Sequence, residues 1–258
     1  MSSDTELPIV LVHGTMGKSE DWSRVVEELS ASRSVIRPDY TERVAGRDRA
    51  KALAIKDLAD EVVAAVRAEG KQRFDLVGNS LGAAVATCIA ADYPELVRSL
   101  VLVSGFSRGS DPRMSLQFKL WLRLVSTDKT AFSQLLLVSG LSPGYFSAFD
   151  EPTLDRIIEN FIASTDWRPV EEIIRVDLSL DVREYARRIK SPALLITGMH
   201  DQIVPPAYSK SMIPGAKTIE LDSGHLIFLE KPVELASAIL SFCQSQQDYP
   251  IVNKLASY

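Results

Sequence analysis

A serine set between two glycines, in Gly78-Asn79-Ser80-Leu81-Gly82, is the strongest chemical signal in this sequence. The pentapeptide follows the apolar run Phe74-Asp75-Leu76-Val77 and opens a small-residue stretch, Leu81-Gly82-Ala83-Ala84. That setting puts the serine on a sharp strand-to-helix turn, in a strained backbone conformation, with its hydroxyl raised above a sheet. Side chains two residues before or after would collide as strand and helix close together, so both places need glycine. The helix start behind Ser80 favours negative charge forming beside it. The plainer alternative is a structural turn that happens to carry a serine.

A serine hydroxyl is a poor nucleophile until a neighbouring base takes its proton. The chain offers three histidines, His13, His200 and His225. His225 follows the last strand-like run in Asp222-Ser223-Gly224-His225, at the strand end where ligands gather in open α/β sheets. It alone completes the order serine, acid, histidine. His13, just before Gly14, is expected to be a packed structural residue, and His200 a loop residue. The base in turn needs a carboxylate to fix its tautomer and stabilise imidazolium. Asp201, in Thr197-Gly198-Met199-His200-Asp201, lies on the loop after the preceding strand, whereas Asp222 and Glu230 do not. Donors for an oxyanion are expected from the backbone N–H of Leu81 and from that of Thr15, in His13-Gly14-Thr15-Met16-Gly17.

The elements that must position these groups alternate. Apolar runs at 8–14, 34–39, 74–78, 100–103, 193–197 and 218–221 read as about six strands buried on both faces. Helical spacing appears at 21–29, from about Ala50 to Ala68, at 81–91, 182–189 and from Pro232 to Phe242. The pattern predicts an α/β protein with a doubly wound, mostly parallel sheet. Roughly 85 residues between the fourth and fifth strands lack a strand, far too many for a loop. Helical patterns fill them at 116–124, 131–137, 154–162 and 170–174, so an inserted helical cap is expected over residues 107–178, with the core in 1–106 and 179–258. Of its aromatics Phe118, Trp121, Phe132, Tyr145, Phe146, Phe149, Phe161 and Trp167, roughly three-quarters are expected to pack helix on helix, and the rest to line a pocket.

Composition narrows the field further. With 46% apolar and 24% charged residues, the chain of 258 residues is not disordered as a whole and has length for a substantial core. A net charge of −5 gives no reason to expect nucleic acid or a membrane as partner. Only Arg43, Arg47, Arg49 and Lys51 cluster, interrupted by Asp48, and a solvated surface explains them. Cys88 and Cys243 imply no disulfide framework, and no metal or other cofactor is expected. Neither a secretory leader nor a bilayer-spanning stretch is legible, so the expected location is cytoplasmic. The segment 244–258 has no clear periodicity, and the sequence leaves oligomeric state open.

Taken together, the His13-Gly14 loop, the Gly78 to Gly82 turn, Thr197 to Asp201 and Ser223-Gly224-His225 resemble the α/β-hydrolase fold superfamily, in its group of small lidded bacterial serine esterases. The resemblance covers nearly the whole chain outside the cap. It implies that Ser80 attacks an acyl carbonyl, His225 is the base, Asp201 orients it, and Thr15 and Leu81 form the oxyanion hole beneath a cap-roofed apolar pocket. Only a short lead precedes Pro8, so the superfamily's N-terminal antiparallel hairpin is expected to be absent or rudimentary. Asn79 is also similar to the residue before the serine in carbon–carbon bond hydrolases, but Leu226-Ile227-Phe228-Leu229 lacks the tryptophan that subgroup places after its histidine. Haloalkane dehalogenases carry aspartate where this chain has Ser80.

The reaction so implied is hydrolysis of a carboxylic ester or thioester of a small molecule with an apolar acyl part. Acyl transfer, elimination or cyclisation needs the same three side chains and differs by keeping water out. A binding protein without turnover would need no aligned base and acid, and function is decided by the site rather than the fold.

Overall fold

The computed structural model describes residues 7–48 and 51–246. The chain runs through β1 (Ile9–Val12), a 3-10 turn (Ser19–Trp22), α1 (Ser23–Leu29), β2 (Val35–Ile36), α2 (Thr41–Gly46), α3 (Ile55–Ala68), β3 (Phe74–Asn79), α4 (Leu81–Asp92) and β4 (Val97–Val103). An insertion follows: α5 (Pro112–Thr127), α6 (Lys129–Gly140), α7 (Pro143–Phe146), α8 (Glu151–Ser164) and α9 (Val170–Ser179). The core resumes with α10 (Arg183–Arg188), β5 (Ala193–Gly198), α11 (Pro206–Lys210), β6 (Lys217–Leu221), α12 (Ile227–Glu230) and α13 (Pro232–Ser245).

The strands form one sheet in the order β2-β1-β3-β4-β5-β6, each neighbouring pair parallel. β1, β3 and β4 are buried along their whole length, which is why their sequences are apolar without alternation. Two apolar layers cover the faces. α3 and α4 pack on one side and α1 and α13 on the other. Chain order reverses at β1, which has β2 on one flank and β3 on the other. Loops leaving β1 and β3 therefore diverge there and open a crevice at the strands' carboxyl ends.

α4 is buried nearly all round, and small residues let it lie close to the sheet. A Cβ on Gly78 would overlap the Gly82 carbonyl, and one on Gly82 would overlap that of Val12. The helix start is thus pressed against both β3 and β1.

Within the insertion, α5 packs on α6 and α9, and α6 on α8. Its stem is narrow. Gly109 N–H donates to Leu180 O at 3.0 Å and Val182 N–H to Ser107 O at 2.8 Å, pairing the incoming and outgoing chain. Rings interlock through it: Phe106, Phe118, Trp121, Phe132, Trp167 and Phe161 follow one another at centroid separations of 5.3 to 6.1 Å.

Several boundaries differ from the sequence reading. α3 starts at Ile55, because Asp57 accepts the Ala54 N–H at 2.9 Å and caps the helix there. Helices α5 and α8 begin earlier than apolar spacing suggests, since Asp111 and Asp150 cap them ahead of Pro112 and Pro152. Of the basic cluster, Arg43 pairs with Glu61 and Arg47 with Glu172. Arg49, the Ala50 helix start, the lead 1–6 and most of the tail, 247–258, lie outside the described residues. No helix among the described residues is long and apolar enough to cross a membrane.

Candidate active site

Ser80 caps the turn between β3 and α4 at φ 57° and ψ −120°. A non-glycine residue held there stores on the order of 1–3 kcal/mol of strain, so the surroundings must impose it. They do so through Ser80 N–H, which donates to Val103 O at 2.9 Å, and Ser80 O, which accepts from Ala83 N–H at 2.9 Å. Close packing at Gly78 and Gly82 leaves the turn no room to relax.

His225 and Asp201 come together at 2.7 Å, Nδ1 to Oδ2. Both are buried, at 5% and 3% exposure. The other carboxyl oxygen of Asp201 accepts the Val204 N–H at 2.7 Å, so both oxygens are fixed. A bond at Nδ1 assigns the proton to that nitrogen and leaves Nε2 as the free basic atom. Gly198 and Gly224 permit the approach: a Cβ on Gly198 would overlap the Gly224 carbonyl. Ser80 and His225 line the same cavity, although among the described residues no hydrogen bond joins the hydroxyl to the ring. Contacts of this kind commonly tighten only once substrate is bound.

That cavity measures about 990 Å³. Its inner wall comes from the insertion: Trp121, Leu136, Leu137, Ile158, Phe161 and Ile173. Exposed charged residues also line it, among them Lys18, Glu20, Arg24, Asp39, Asp166 and Arg168. Of the eight insertion aromatics, Trp121 and Phe161 line the cavity; the others do not.

Thr15 also lines the cavity, and Leu81 is the first residue of α4. Among the described residues neither amide N–H donates to a backbone carbonyl. Tyr40 holds the Thr15 loop: its hydroxyl donates to His13 O at 2.9 Å, and its ring stacks on that of His13 at 4.1 Å. His13 Nε2 lies 3.5 Å from Asp39 Oδ1. Burial works to raise the Asp39 carboxyl, but the neighbouring His13 ring and the hydrogen bonds from Thr41 outweigh it and hold the group well below its ordinary range. His200 pairs at the surface with Asp222, at 2.9 Å, and lies outside the cavity lining.

Two acids have roles that the sequence reading missed. Glu230 accepts the N–H groups of Gly224 and Ser142, each at 3.0 Å, and the Ser142 hydroxyl. It thereby braces the histidine loop. Asp177 is fully buried in α9 and accepts from Thr15 Oγ1 at 2.8 Å. Its signal was present in the sequence: Val170, Ile173, Ile174 and Asp177 share one helical stripe, so a carboxyl stands where an apolar residue is due.

An all-parallel sheet with a strained serine turn beside its switch point, and a buried histidine–aspartate pair of which His225 lines the same cavity, is an α/β architecture with a candidate active site. The family model described as "Alpha/beta hydrolase family" matches residues 9–238. The chain belongs to that family, and on this ground it is a hydrolase. It is 43% identical over 242 residues to the pyrrolizixenacetamide deacetylase of Xenorhabdus hominickii, covering 92% of this chain and 91% of the relative. Its fold matches the enol-lactonase of Burkholderia xenovorans LB400 with a TM-score of 0.79 at 23% identity, over 93% of this chain and 92% of the other. A thermophilic esterase from Thermogutta terrifontis matches equally, with a TM-score of 0.79 at 22% identity over 94% and 91%.

Proposed function

We propose that this protein is a serine hydrolase of carboxylic acyl bonds, in which Ser80 is the nucleophile, His225 the base and Asp201 its orienting acid. The observation that carries this reading is the pairing of His225 with Asp201 on the same cavity as a strained Ser80. As Ser80 Oγ attacks the carbonyl carbon, His225 Nε2 takes its proton and the carbonyl oxygen becomes an oxyanion. The amides of Thr15 and Leu81 donate to that oxygen; losing one such donor typically costs about 3 kcal/mol. Collapse expels the leaving group, which takes the proton from His225, and leaves an acyl ester on Ser80. Water then attacks that ester while His225 accepts its proton, and the proton returns to Ser80 as the acid departs.

Residues 107–178 serve as the cap, whose apolar wall suits the acyl part of an ester or thioester. A second reading, cleavage of an N-acetyl amide, is favoured by the 43% identity to a deacetylase. Both pass through an acyl ester on Ser80 and differ in the acyl part and the leaving group.

Fluorophosphonate labelling of intact protein, read by mass spectrometry, tests the nucleophile. The adduct is expected on Ser80 and absent from Ser80→Ala, which should also lose at least roughly a thousandfold in turnover of p-nitrophenyl acetate. Equal turnover in the two proteins removes Ser80 from the mechanism. A panel of acetate to octanoate esters beside an aryl acetamide then separates the two readings.

A further inference from the structure

Thr15 is where the insertion reaches the loop after β1. Its hydroxyl donates to Asp177 Oδ2 at 2.8 Å across 162 positions of sequence. Asp177 stands at the insertion's stem: its own carbonyl would be overlapped by a Cβ on Gly109, and Leu180, three residues on, accepts the Gly109 N–H. Any shift of the stem therefore moves the acceptor that Thr15 uses.

The bond also bears on backbone direction. A threonine is stiff at χ1, and its preferred rotamer depends on φ and ψ. Holding Oγ1 thus constrains the peptide plane that carries the Thr15 N–H. Tyr40 restrains the preceding residues through His13 O, so the loop is gripped from the core on one side and from α9 on the other. Stability alone gives no reason for an acid here. An apolar side chain in the stripe of Ile173 and Ile174 would bury without desolvating a carboxyl, whose Oδ1 has no partner among the described residues.

We propose that Asp177 is a positioning residue: acting through the Thr15 hydroxyl, it aims the Thr15 N–H at the developing oxyanion and makes that aim depend on how the insertion is seated. This inference rests on the Ser80 reading above. Because the oxyanion contact strengthens in the transition state, its loss lowers kcat more than it changes KM. Burial pushes the Asp177 carboxyl well above its ordinary range, which favours the neutral form that asparagine mimics.

Steady-state hydrolysis of p-nitrophenyl acetate by the full chain tests this. Thr15→Val and Asp177→Leu should each lower kcat by about tenfold or more with KM within about twofold, somewhat less than deletion of a donor. The double variant should be no worse than the poorer single, since both remove one interaction. Thr15→Ser and Asp177→Asn, which keep donor and acceptor, should stay within about threefold of wild type. Wild-type kcat in Thr15→Val, or additive losses in the double variant, overturns the inference. Should Asp177→Leu fail to fold, the comparison of Thr15→Val with Thr15→Ser decides alone. Labelling of wild-type Ser80 keeps the two failures apart: no adduct sinks the serine mechanism, whereas an adduct with an unaffected Thr15→Val sinks only the role of Asp177.

Discussion

The backbone N–H of His225 donates to the carbonyl oxygen of Gly140 at 2.7 Å, so the loop bearing the imidazole is fastened to the end of α6. Leu226 N–H shares the same acceptor at 3.2 Å. A Cβ on Gly224 would overlap that carbonyl, which is why the residue before His225 is glycine. His225 is thus held by the insertion as well as by Asp201.

Glu230 completes that fastening and gives a first prediction. Glu230→Ala leaves the Gly224 and Ser142 N–H groups without their acceptor, at about 1–3 kcal/mol for each group left unpaired away from water. Melting temperature and kcat should both fall, with Glu230→Gln in between. Wild-type kcat in the alanine variant would mean that Gly140 suffices to place His225.

Gly82→Ala should be far worse than an ordinary glycine-to-alanine change within a helix. The added methyl would overlap the Val12 and His13 carbonyls, and overpacking of this kind costs typically 1–3 kcal/mol or more. Since the collision pushes α4 off β1, loss of turnover should exceed loss of stability. Chemical denaturation alongside kinetics checks this.

Asp177 predicts a pH dependence of stability. Its folded-state pKa lies well above the ordinary carboxyl value of 3.8 because of burial, so the folded protein keeps a proton that the unfolded chain releases. Stability should therefore fall as pH rises from about 4 toward the raised folded value, with a limiting slope of about 1.4 kcal/mol per pH unit. Asp177→Asn removes this dependence, and its advantage over wild type should grow with pH. Parallel urea melts from pH 4 to 8 would detect it, and identical pH profiles would show that the carboxyl is ionised in the fold.

Burial pushes both Cys88 and Cys243 up to about 12, leaving almost no thiolate at neutral pH. Ellman's reagent should find neither thiol in the native protein and both after denaturation. Prompt labelling of the native protein would contradict the packing described for α4 and α13.

The sheet was legible because four of its strands lie inside, and burial on both faces leaves a run of apolar residues that little else produces. The serine turn was legible through its paired glycines, whose need is steric and local. The starts of α5 and α8 were not, since apolar spacing reports the packed face whereas Asp111 and Asp150 set the first turn. The bracing of the site was least visible. Asp177 and Glu230 act on residues 162 and 88 positions away, Thr15 and Ser142, and no local pattern announces such partners. Glu230 stands close to His225 in sequence, yet it touches the histidine loop through a backbone N–H instead of the imidazole.

The ring-on-ring series from Phe106 to Phe161 bears on how molecules come and go. Edge-to-face neighbours such as Trp121 and Phe132, at 85° to each other, block one another's rotation. The series ties α5, α6 and α8 into one packed unit, of which Trp121 and Phe161 also line the cavity. Exposed charged residues from two distant stretches, Lys18, Glu20 and Arg24 and then Asp166 and Arg168, line the same cavity. Salt should therefore alter binding of a charged ligand there more than that of an apolar one.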